Sequence, residues 1–224
     1  MCNAYTLKTN LADLAAAVER QLGFALVLAP GVTPLTSNLA IPQSLYPRRD
    51  GLILRPVDPA APSAGLEPVV AHWNLTPFFH KGPLKAWKAS TNNARSETMA
   101  TSPAFRDAYK RRRCVVPASH FTEWTGPTGS KTAHAISRAD GGLLFFAGLW
   151  DRRLIDDAAV ESYTLPMIPA VDSDDVAPFH NRQPVVLDAE RAGRWLDLDA
   201  DQAEVLRAPP RETLVADPRS PAAG

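Results

Sequence analysis

Cys2 has the most distinctive chemistry in the chain, because it directly follows Met1. Methionine aminopeptidases generally remove an initiator methionine when the next residue is small, and removal of Met1 leaves a cysteine with a free α-amine. The amine titrates near ~7.7 to 8.0 and the thiol near ~8.5, so both are partly nucleophilic at neutral pH. An aldehyde can form a Schiff base with the amine and then close onto the sulfur as a thiazolidine. The position alone also allows Cys2 to have no chemical role.

A polar loop follows in the middle of the chain, where residues 92–97 read Asn-Asn-Ala-Arg-Ser-Glu just before a predicted helix. The donors and acceptors of Asn93 and Arg95 suit the binding of a phosphate or an amine. The same residues also fit an ordinary loop, in which Asn93 makes turn hydrogen bonds and Arg95 pairs with Glu97 on the surface.

Glu123 and His180 are the candidates for proton transfer. Glu123 lies among aromatic residues in a predicted strand, His-Phe-Thr-Glu-Trp, where partial burial would raise its pKa into a useful range. His180 precedes an Asn-Arg pair and a short apolar strand. Either residue is also compatible with a purely structural role. The other histidines have no metal-ligand spacing to one another or to Cys114, so no metal site is predicted.

Charge and composition restrict the possible functions. The 24 Lys and Arg residues balance the 24 Asp and Glu residues, which excludes a uniformly basic nucleic-acid-binding protein and requires a local patch for any charged partner. The basic run at 110–113 is equally explained by a helix C-terminus, which favours cations. The 21 prolines argue against a helical bundle.

The cysteine count and the apolar segments bear on location. Cys2 and Cys114 cannot form a disulfide framework, which favours a reducing compartment. The N-terminus lacks the features of a signal peptide, and the longest apolar stretches are much shorter than a ~20-residue membrane span. We therefore expect a cytoplasmic protein without a membrane association.

Periodicity predicts an α+β fold. A helix is expected at 11–22, with Asn10 as its cap and Gly23 at its end, and another is expected from Ser102 and Pro103 onward. Two short helices are predicted at 188–196 and 199–207. Residues 30–68 favour edge strands and surface connections. Because the remaining strands are joined by short turns, we predict a mostly antiparallel sheet or a barrel-like core with a few flanking helices. Residues 1–207 form one predicted domain, and 208–224 form a loosely held, proline-rich tail.

Taken together, the motifs resemble the SRAP family, the SOS-response-associated peptidase or abasic-site-processing domain. The order and spacing of five motifs carry this resemblance, over roughly residues 1–207: Met1-Cys2, Trp73-Asn74, Asn93-Ala94-Arg95-Ser96-Glu97-Thr98, Arg113-Cys114-Val115-Val116-Pro117-Ala118 with Phe121-Thr122-Glu123-Trp124, and His180-Asn181-Arg182-Gln183-Pro184. Three segments depart from the family pattern. Asn3-Ala4 replaces the common Gly-Arg, Trp73-Asn74 replaces Trp-Gly, and the C-terminal Pro-Val-Ser with a later Val-Asn is reduced to Asp217-Pro218-Arg219-Ser220. These departures leave DNA affinity and placement open.

The resemblance implies covalent capture of an abasic site in single-stranded DNA. Cys2, freed of Met1, would attack the sugar aldehyde and end as a thiazolidine crosslink. Asn93 would hold the N-terminal amine or the sugar, Glu123 would transfer protons, and His180 would help to protonate the sugar ring oxygen as it opens. Cys114 matches a buried strand position and has no implied catalytic role.

The resemblance also implies a DNA-binding surface. Arg95 would bind a flanking phosphate, and Arg182 would contact DNA. Apart from the resemblance, Trp73 and Trp87 both precede the polar loop and could stack on bases, although tryptophan in a mixed fold is more often a core residue. No cofactor is implied, and we expect a monomer that is nucleoid-associated when bound to DNA.

Two other classes of function remain open from the sequence. One is an N-terminal-nucleophile amidohydrolase or cysteine peptidase, in which Cys2 attacks an amide or peptide bond. The other is a non-covalent single-stranded-DNA-binding module that uses Arg95 and the aromatic residues while Cys2 stays unreacted. Hydrolysis without DNA would indicate the first class, and binding without a covalent adduct would indicate the second.

Overall fold

The computed structural model describes residues 2–28, 43–155, 158–171 and 173–219. Within these ranges the chain forms three α-helices, α1 (Leu11–Leu22), α2 (Arg106–Arg111) and α3 (Ala189–Leu196). Twelve β-strands complete the fold: β1 (Tyr5–Leu7), β2 (Gln43–Leu45), β3 (Asp50–Pro56), β4 (Leu66–Trp73), β5 (Asn93–Arg95), β6 (Arg113–Ala118), β7 (His120–Thr125), β8 (Thr132–Arg138), β9 (Leu144–Ile155), β10 (Ala158–Pro169), β11 (Arg182–Pro184) and β12 (Leu214–Arg219).

Five strands pair in a closed circuit, which makes the centre of the fold a small barrel. The order is β4-β3-β6-β9-β10, and β10 returns to β4. Only this last pairing is parallel, through His72 with Ser162 and Trp73 with Tyr163. The α+β fold with a mostly antiparallel, barrel-like core is therefore confirmed. β3 lies inside the circuit, between β4 and β6, whereas the sequence favoured edge strands in this region.

A second sheet carries the beginning of the chain and the strand that contains Glu123. Its order is β12-β8-β7-β1-β2, with Tyr5 of β1 opposite Phe121 of β7. The far end of β10 leaves the barrel and pairs with β5 in parallel and with β11 in antiparallel orientation. The polar loop, through β5, and the residues after His180, through β11, therefore both pair with the same barrel strand, β10.

Local sequence signals explain two of the helices. The Asn10 side chain accepts a hydrogen bond from the Asp13 amide at 2.9 Å, and Gly23 ends α1 in the left-handed conformation at φ 76°. Asp188 caps α3 in the same way, through the Arg191 amide. Both helices pack their apolar faces on a common core.

Two predicted helical segments differ in the structure. α2 begins at Arg106, because the residues after Ser102 form turns, with the Ser102 carbonyl accepting from the Phe105 and Arg106 amides. Residues 199–207 form turns rather than a helix. The Asp197 and Asp201 side chains accept local amide hydrogens there, which competes with helical hydrogen bonding.

The predicted loose tail contains a strand. β12 pairs with β8 over six residue pairs, and Leu214 is buried. Asp175 also accepts hydrogen bonds from the amides of Glu212 and Leu214. The proline content misled the prediction, because β12 lies at a sheet edge, where the missing N–H of Pro218 is tolerated.

The core around the N-terminal segment is aromatic. Tyr5, Trp73 and Tyr163 are buried, and the hydroxyls of Tyr5 and Tyr163 form a short hydrogen bond. Gly51 faces this pair, and a Cβ at this position would lie 2.5 Å from the Tyr163 hydroxyl, so close packing requires glycine here. Among the described helices, none is both long and apolar enough to cross a membrane.

Candidate active site

Cys2 is completely buried at the start of the second sheet. The Asn93 Nδ2 donates a hydrogen bond of 2.7 Å to the Cys2 carbonyl, and the Cys2 thiol donates to the Ala4 carbonyl at 3.5 Å. The Ala4 carbonyl in turn accepts from the Thr122 amide at 2.9 Å. The N-terminal segment is thus fixed between the polar loop and β7.

Asn93 lies on β5, so its place depends on the pairing of this strand with β10. The Asn92 carbonyl accepts from the Leu165 amide at 3.1 Å, which anchors the loop just before Asn93. The Asn93 side chain is 8% exposed, and its Oδ1 has no hydrogen-bond partner among the described residues. A buried, unpaired acceptor beside Cys2 is suited to an ammonium or hydroxyl donor.

Glu123 lies on β7 and is 3% exposed. Burial raises its pKa from 4.5 to about 7, against a smaller lowering by the positive charge of the amino terminus. Its Oε1 has no hydrogen-bond partner within the described part of the chain. A carboxyl group that is about half protonated near neutral pH can both accept and donate a proton.

The Cys2 thiol is protonated in this environment. Burial raises its pKa well above the ordinary value, and the negative charge of Glu123 raises it further. A nucleophilic reaction of this thiol therefore needs a proton acceptor, and Glu123 is close enough to interact with it electrostatically. Cys114 is also buried, and its Sγ would lie 2.7 Å from a Cβ at Gly148, so it is a packed core residue.

His180 has a backbone partner for each of its charge states. Its Nδ1 lies 3.0 Å from the Arg182 amide and 3.1 Å from the Arg182 carbonyl. The neutral ring can accept from the amide and keep its proton on Nε2, whereas the cation can donate from Nδ1 to the carbonyl. Burial, followed by the charge of the amino terminus, lowers the pKa of His180, which favours the neutral ring.

The structure brings Cys2, Asn93 and Glu123 together. Asn93 donates to the Cys2 carbonyl, and the segment after Cys2 hydrogen-bonds to β7, the strand that carries Glu123. His180 follows Phe179, whose ring centroid lies 4.6 Å from that of His134, the residue opposite Glu123 on β8. No three His, Cys, Asp or Glu side chains lie together as a possible metal site in the described ranges.

Glu97 forms its ion pair with Arg182 and not with Arg95. Two nitrogens of Arg182 donate to the two Glu97 oxygens at 2.9 and 2.6 Å, and these hydrogen bonds lower the pKa of Glu97 to about 2. Arg95 is exposed and has no side-chain hydrogen bond or ion pair to any described residue. The Arg95–Glu97 pair considered from the sequence is therefore wrong, and Arg95 is available to a ligand.

The prediction that Trp73 stacks on a DNA base conflicts with the structure. Its side chain is 0% exposed and lies between Tyr5 and Tyr163. Its Nε1 donates to the Asn92 carbonyl at 2.8 Å, so the indole supports the polar loop from inside the core. Trp73 therefore supports the site by holding the Asn92 carbonyl in place, and its buried ring does not face a DNA base.

Exposed aromatic residues lie instead in residues 77–90, which we call the aromatic loop. Phe78 and Phe79 are 57% and 43% exposed, and Phe79 contacts Trp87 edge-on with a 6.2 Å centroid separation. Sequence reasoning named Trp87 as a second stacking candidate but missed the two phenylalanines. Their signal was a run of aromatic residues and three lysines with no Asp or Glu between Asn74 and Asn92.

The fold is a closed barrel with a second sheet, and its site sets buried Cys2 beside an amide and a carboxyl. These features define a class of α+β proteins with a cysteine site at position 2. Residues 1–222 match the family model "SOS response associated peptidase (SRAP)". The chain belongs to the SRAP family.

Several relatives are named abasic site processing proteins. The chain is 34% identical over 129 residues to YMR114C of Saccharomyces cerevisiae, an alignment that covers 57% of this chain and 34% of that protein. It is 31% identical over 141 residues to YobE of Bacillus subtilis, covering 61% and 63% of the two chains. The matches therefore span less than two thirds of these relatives.

Solved structures agree with the fold. A protein from Bordetella bronchiseptica superposes with a TM-score of 0.78 at 25% identity, covering 98% of this chain and 100% of that chain. A protein from Bacteroides thetaiotaomicron gives a TM-score of 0.77 at 22% identity, covering 98% and 93%, and supports the fold alone.

Proposed function

We propose that this chain, after loss of Met1, senses abasic sites in single-stranded DNA by trapping their aldehyde as a thiazolidine on Cys2. The observation that carries the proposal is the position of Cys2, hydrogen-bonded to Asn93 and next to a carboxyl group with a pKa of about 7. The names of the relatives supply the abasic site as the aldehyde source.

The reaction forms two bonds and releases one water. The Cys2 α-amine adds to the aldehyde carbon, and the carbinolamine loses water to give a Schiff base. The thiol then adds to the same carbon and gives its proton up, which closes the five-membered ring. Glu123 accepts the thiol proton, and in its acid form it donates a proton to the departing water, so one group serves both steps.

Asn93 and His180 act on the two reactants. The unpaired Asn93 Oδ1 accepts a hydrogen bond from the Cys2 amine and orients it. The abasic sugar is mostly a closed hemiacetal. As the ring opens, neutral His180 accepts the proton of the anomeric hydroxyl, and the resulting imidazolium donates a proton to the ring oxygen. Arg95 binds a flanking phosphate, since it is exposed beside Asn93.

The aromatic loop provides the DNA contact that Trp73 cannot. Phe78 and Phe79 expose rings on which unpaired bases can stack, and the half-buried Trp87 packs against Phe79 beneath them. The lysines of the same loop supply a local positive charge on a chain with no net charge. We assign single-stranded DNA to this surface.

Incubation with single-stranded DNA that carries one abasic site tests the proposal. We expect a band on a denaturing gel that survives heat and SDS, with a mass equal to protein plus DNA minus one water. Intact DNA should give no such band. Cys2→Ala should abolish the adduct, whereas the matched control Cys114→Ser should keep it within a few-fold. Absence of the band with protein confirmed to lack Met1 would refute the proposal.

The same experiment separates the other functions. Hydrolysis of glutamine or of a peptide without DNA would favour an amidohydrolase or peptidase. DNA binding by wild-type protein with no covalent product would favour the non-covalent module.

We also propose that the Cys2 thiol removes Met1 itself. The thiol adds to the Met1 carbonyl carbon, the Met1–Cys2 C–N bond breaks, and water hydrolyses the resulting thioester. Cell-free synthesis with methionine aminopeptidase inhibited should still yield protein that lacks Met1. Retention of Met1 under these conditions would overturn this step without affecting the crosslinking proposal.

A further inference from the structure

The aromatic loop is fastened to the barrel by two buried charged side chains of β9. Asp151 is 4% exposed, and its Oδ2 accepts a hydrogen bond from the Phe78 amide at 3.1 Å. Arg153, two residues further along the same strand, is 9% exposed, and its Nη2 donates to the Gly82 carbonyl at 2.9 Å. These two contacts bracket the exposed Phe78 and Phe79.

A second cation, Arg48, holds the other end of the loop. The Arg48 guanidinium donates to the carbonyls of Trp87 and Lys88 at 3.4 and 3.1 Å. Arg48 has a positive φ of 67°, which is unfavourable for a residue other than glycine. The loop is therefore tied at both ends by side chains from elsewhere in the fold.

Burying the Asp151 carboxylate costs free energy, because the charge is removed from water. Burial raises its pKa, against the opposing charge of Arg112, whose Nε lies 3.3 Å from Oδ1. The amides of Arg152 and Phe78 supply the remaining hydrogen bonds. A buried carboxylate is tolerated only with such partners, and here one of its partners is the loop itself.

The loop that is held in this way exposes apolar rings to solvent, which opposes stability and indicates a ligand. Its sequence contains Lys81, Lys85 and Lys88 and no acidic residue, so the ligand is expected to be anionic. A loop that is already ordered does not lose conformational entropy on binding, which increases affinity.

We propose that Asp151 and Arg153 are positioning residues that preorganise the aromatic loop as a platform for the bases of single-stranded DNA. The ligand class rests on the proposed function. The role of Asp151 rests on its buried contact with the Phe78 amide.

Fluorescence anisotropy with intact single-stranded DNA tests this role without the covalent step. Removing a negative charge near DNA should by itself strengthen binding. The proposal predicts the opposite sign: Asp151→Ala should raise the Kd about fivefold or more, a loss within the stacking contribution of about one base. Asp151→Asn should restore most of the affinity, because its amide oxygen can still accept from Phe78. Glu19→Gln, an exposed carboxylate on α1, is the charge control and should not weaken binding.

A double-mutant cycle separates positioning from general stability. In a Phe78→Ala, Phe79→Ala background, Asp151→Ala should cause little further loss, because the platform is already gone. The reaction of Asp151→Ala with a small free aldehyde should stay within about twofold of wild type. If the Ala variant does not fold, Arg153→Met tests the same loop through Gly82.

Three results would overturn the proposal: unchanged or tighter DNA binding by Asp151→Ala, equal losses in both backgrounds of the cycle, or no DNA binding by wild type. Failure of crosslinking alone refutes the proposed chemistry and leaves this assay valid, since intact DNA carries no aldehyde.

Discussion

Glu123→Gln should make the folded protein more stable and less active. The carboxyl is 3% exposed and its pKa is raised from 4.5 to about 7, mainly by burial. Above this pKa the folded protein contains a buried negative charge that the unfolded chain keeps in water. Glutamine has a similar shape and no such charge, so the substitution removes a cost that the active site imposes on the fold.

The sign and size follow from proton linkage. Below about pH 4.5 the carboxyl is mostly protonated in both the folded and the unfolded state, so its ionisation does not lower the free energy of unfolding. As the pH rises, the unfolded chain ionises first, and the folded state loses stability until the pH exceeds about 7. The rise in pKa corresponds to about 3 kcal/mol at about 1.4 kcal/mol per pH unit, and most of this change falls between about pH 5 and pH 8.

Urea unfolding of wild type and Glu123→Gln at about pH 5 and pH 8 measures this difference. The advantage of the variant in free energy of unfolding should grow by about 2 to 3 kcal/mol over this range, while the exposed control Glu19→Gln should show no such growth. The same variant should slow crosslinking to abasic DNA by about 10²- to 10⁴-fold. If the difference in free energy of unfolding between the variant and the wild type is the same at both pH values, the raised pKa of Glu123 is refuted. A wild-type crosslinking rate would remove Glu123 from the mechanism.

Three further results are expected. Arg95→Ala should reduce the salt dependence of DNA binding measured by anisotropy, because one phosphate contact is lost; an unchanged salt slope would make Arg95 a simple surface residue. His180→Ala should slow single-turnover crosslinking on abasic DNA by about tenfold or more but hardly affect a simple free aldehyde, which has no sugar ring to open; equal slowing on both would contradict this role. Leu214→Ala should lower the free energy of unfolding by about 2 to 5 kcal/mol in urea titrations, because Leu214 is buried. An unchanged free energy of unfolding would show that β12 is held loosely.

The sequence was informative where the signal is local. Asn10 and Gly23 mark the ends of α1 because capping depends on residues a few positions apart, and the structure has both caps. Cys2, Asn93, Glu123 and His180 could be selected because each lies in a short motif of chemically distinctive residues. The expectation that they share one pocket came from the family resemblance, because the four residues lie far apart in the chain.

Burial and pairing between distant segments could not be read from the sequence. Trp73 and Phe79 are both aromatic residues next to polar segments, yet one is enclosed by Tyr5 and Tyr163 and the other is exposed. An aromatic residue is compatible with either environment, and only the barrel determines which one it meets.

The charged pairs show the same limit. Glu97 has Arg95 two residues away, but it binds Arg182, which β11 brings to it across β10. Asp151 and Phe78 meet from segments more than seventy residues apart in the chain. Sequence chemistry thus determined which groups could react, whereas the long-range strand pairings decided which were buried, which were paired and which faced solvent, because those properties depend on contacts made only in the folded chain.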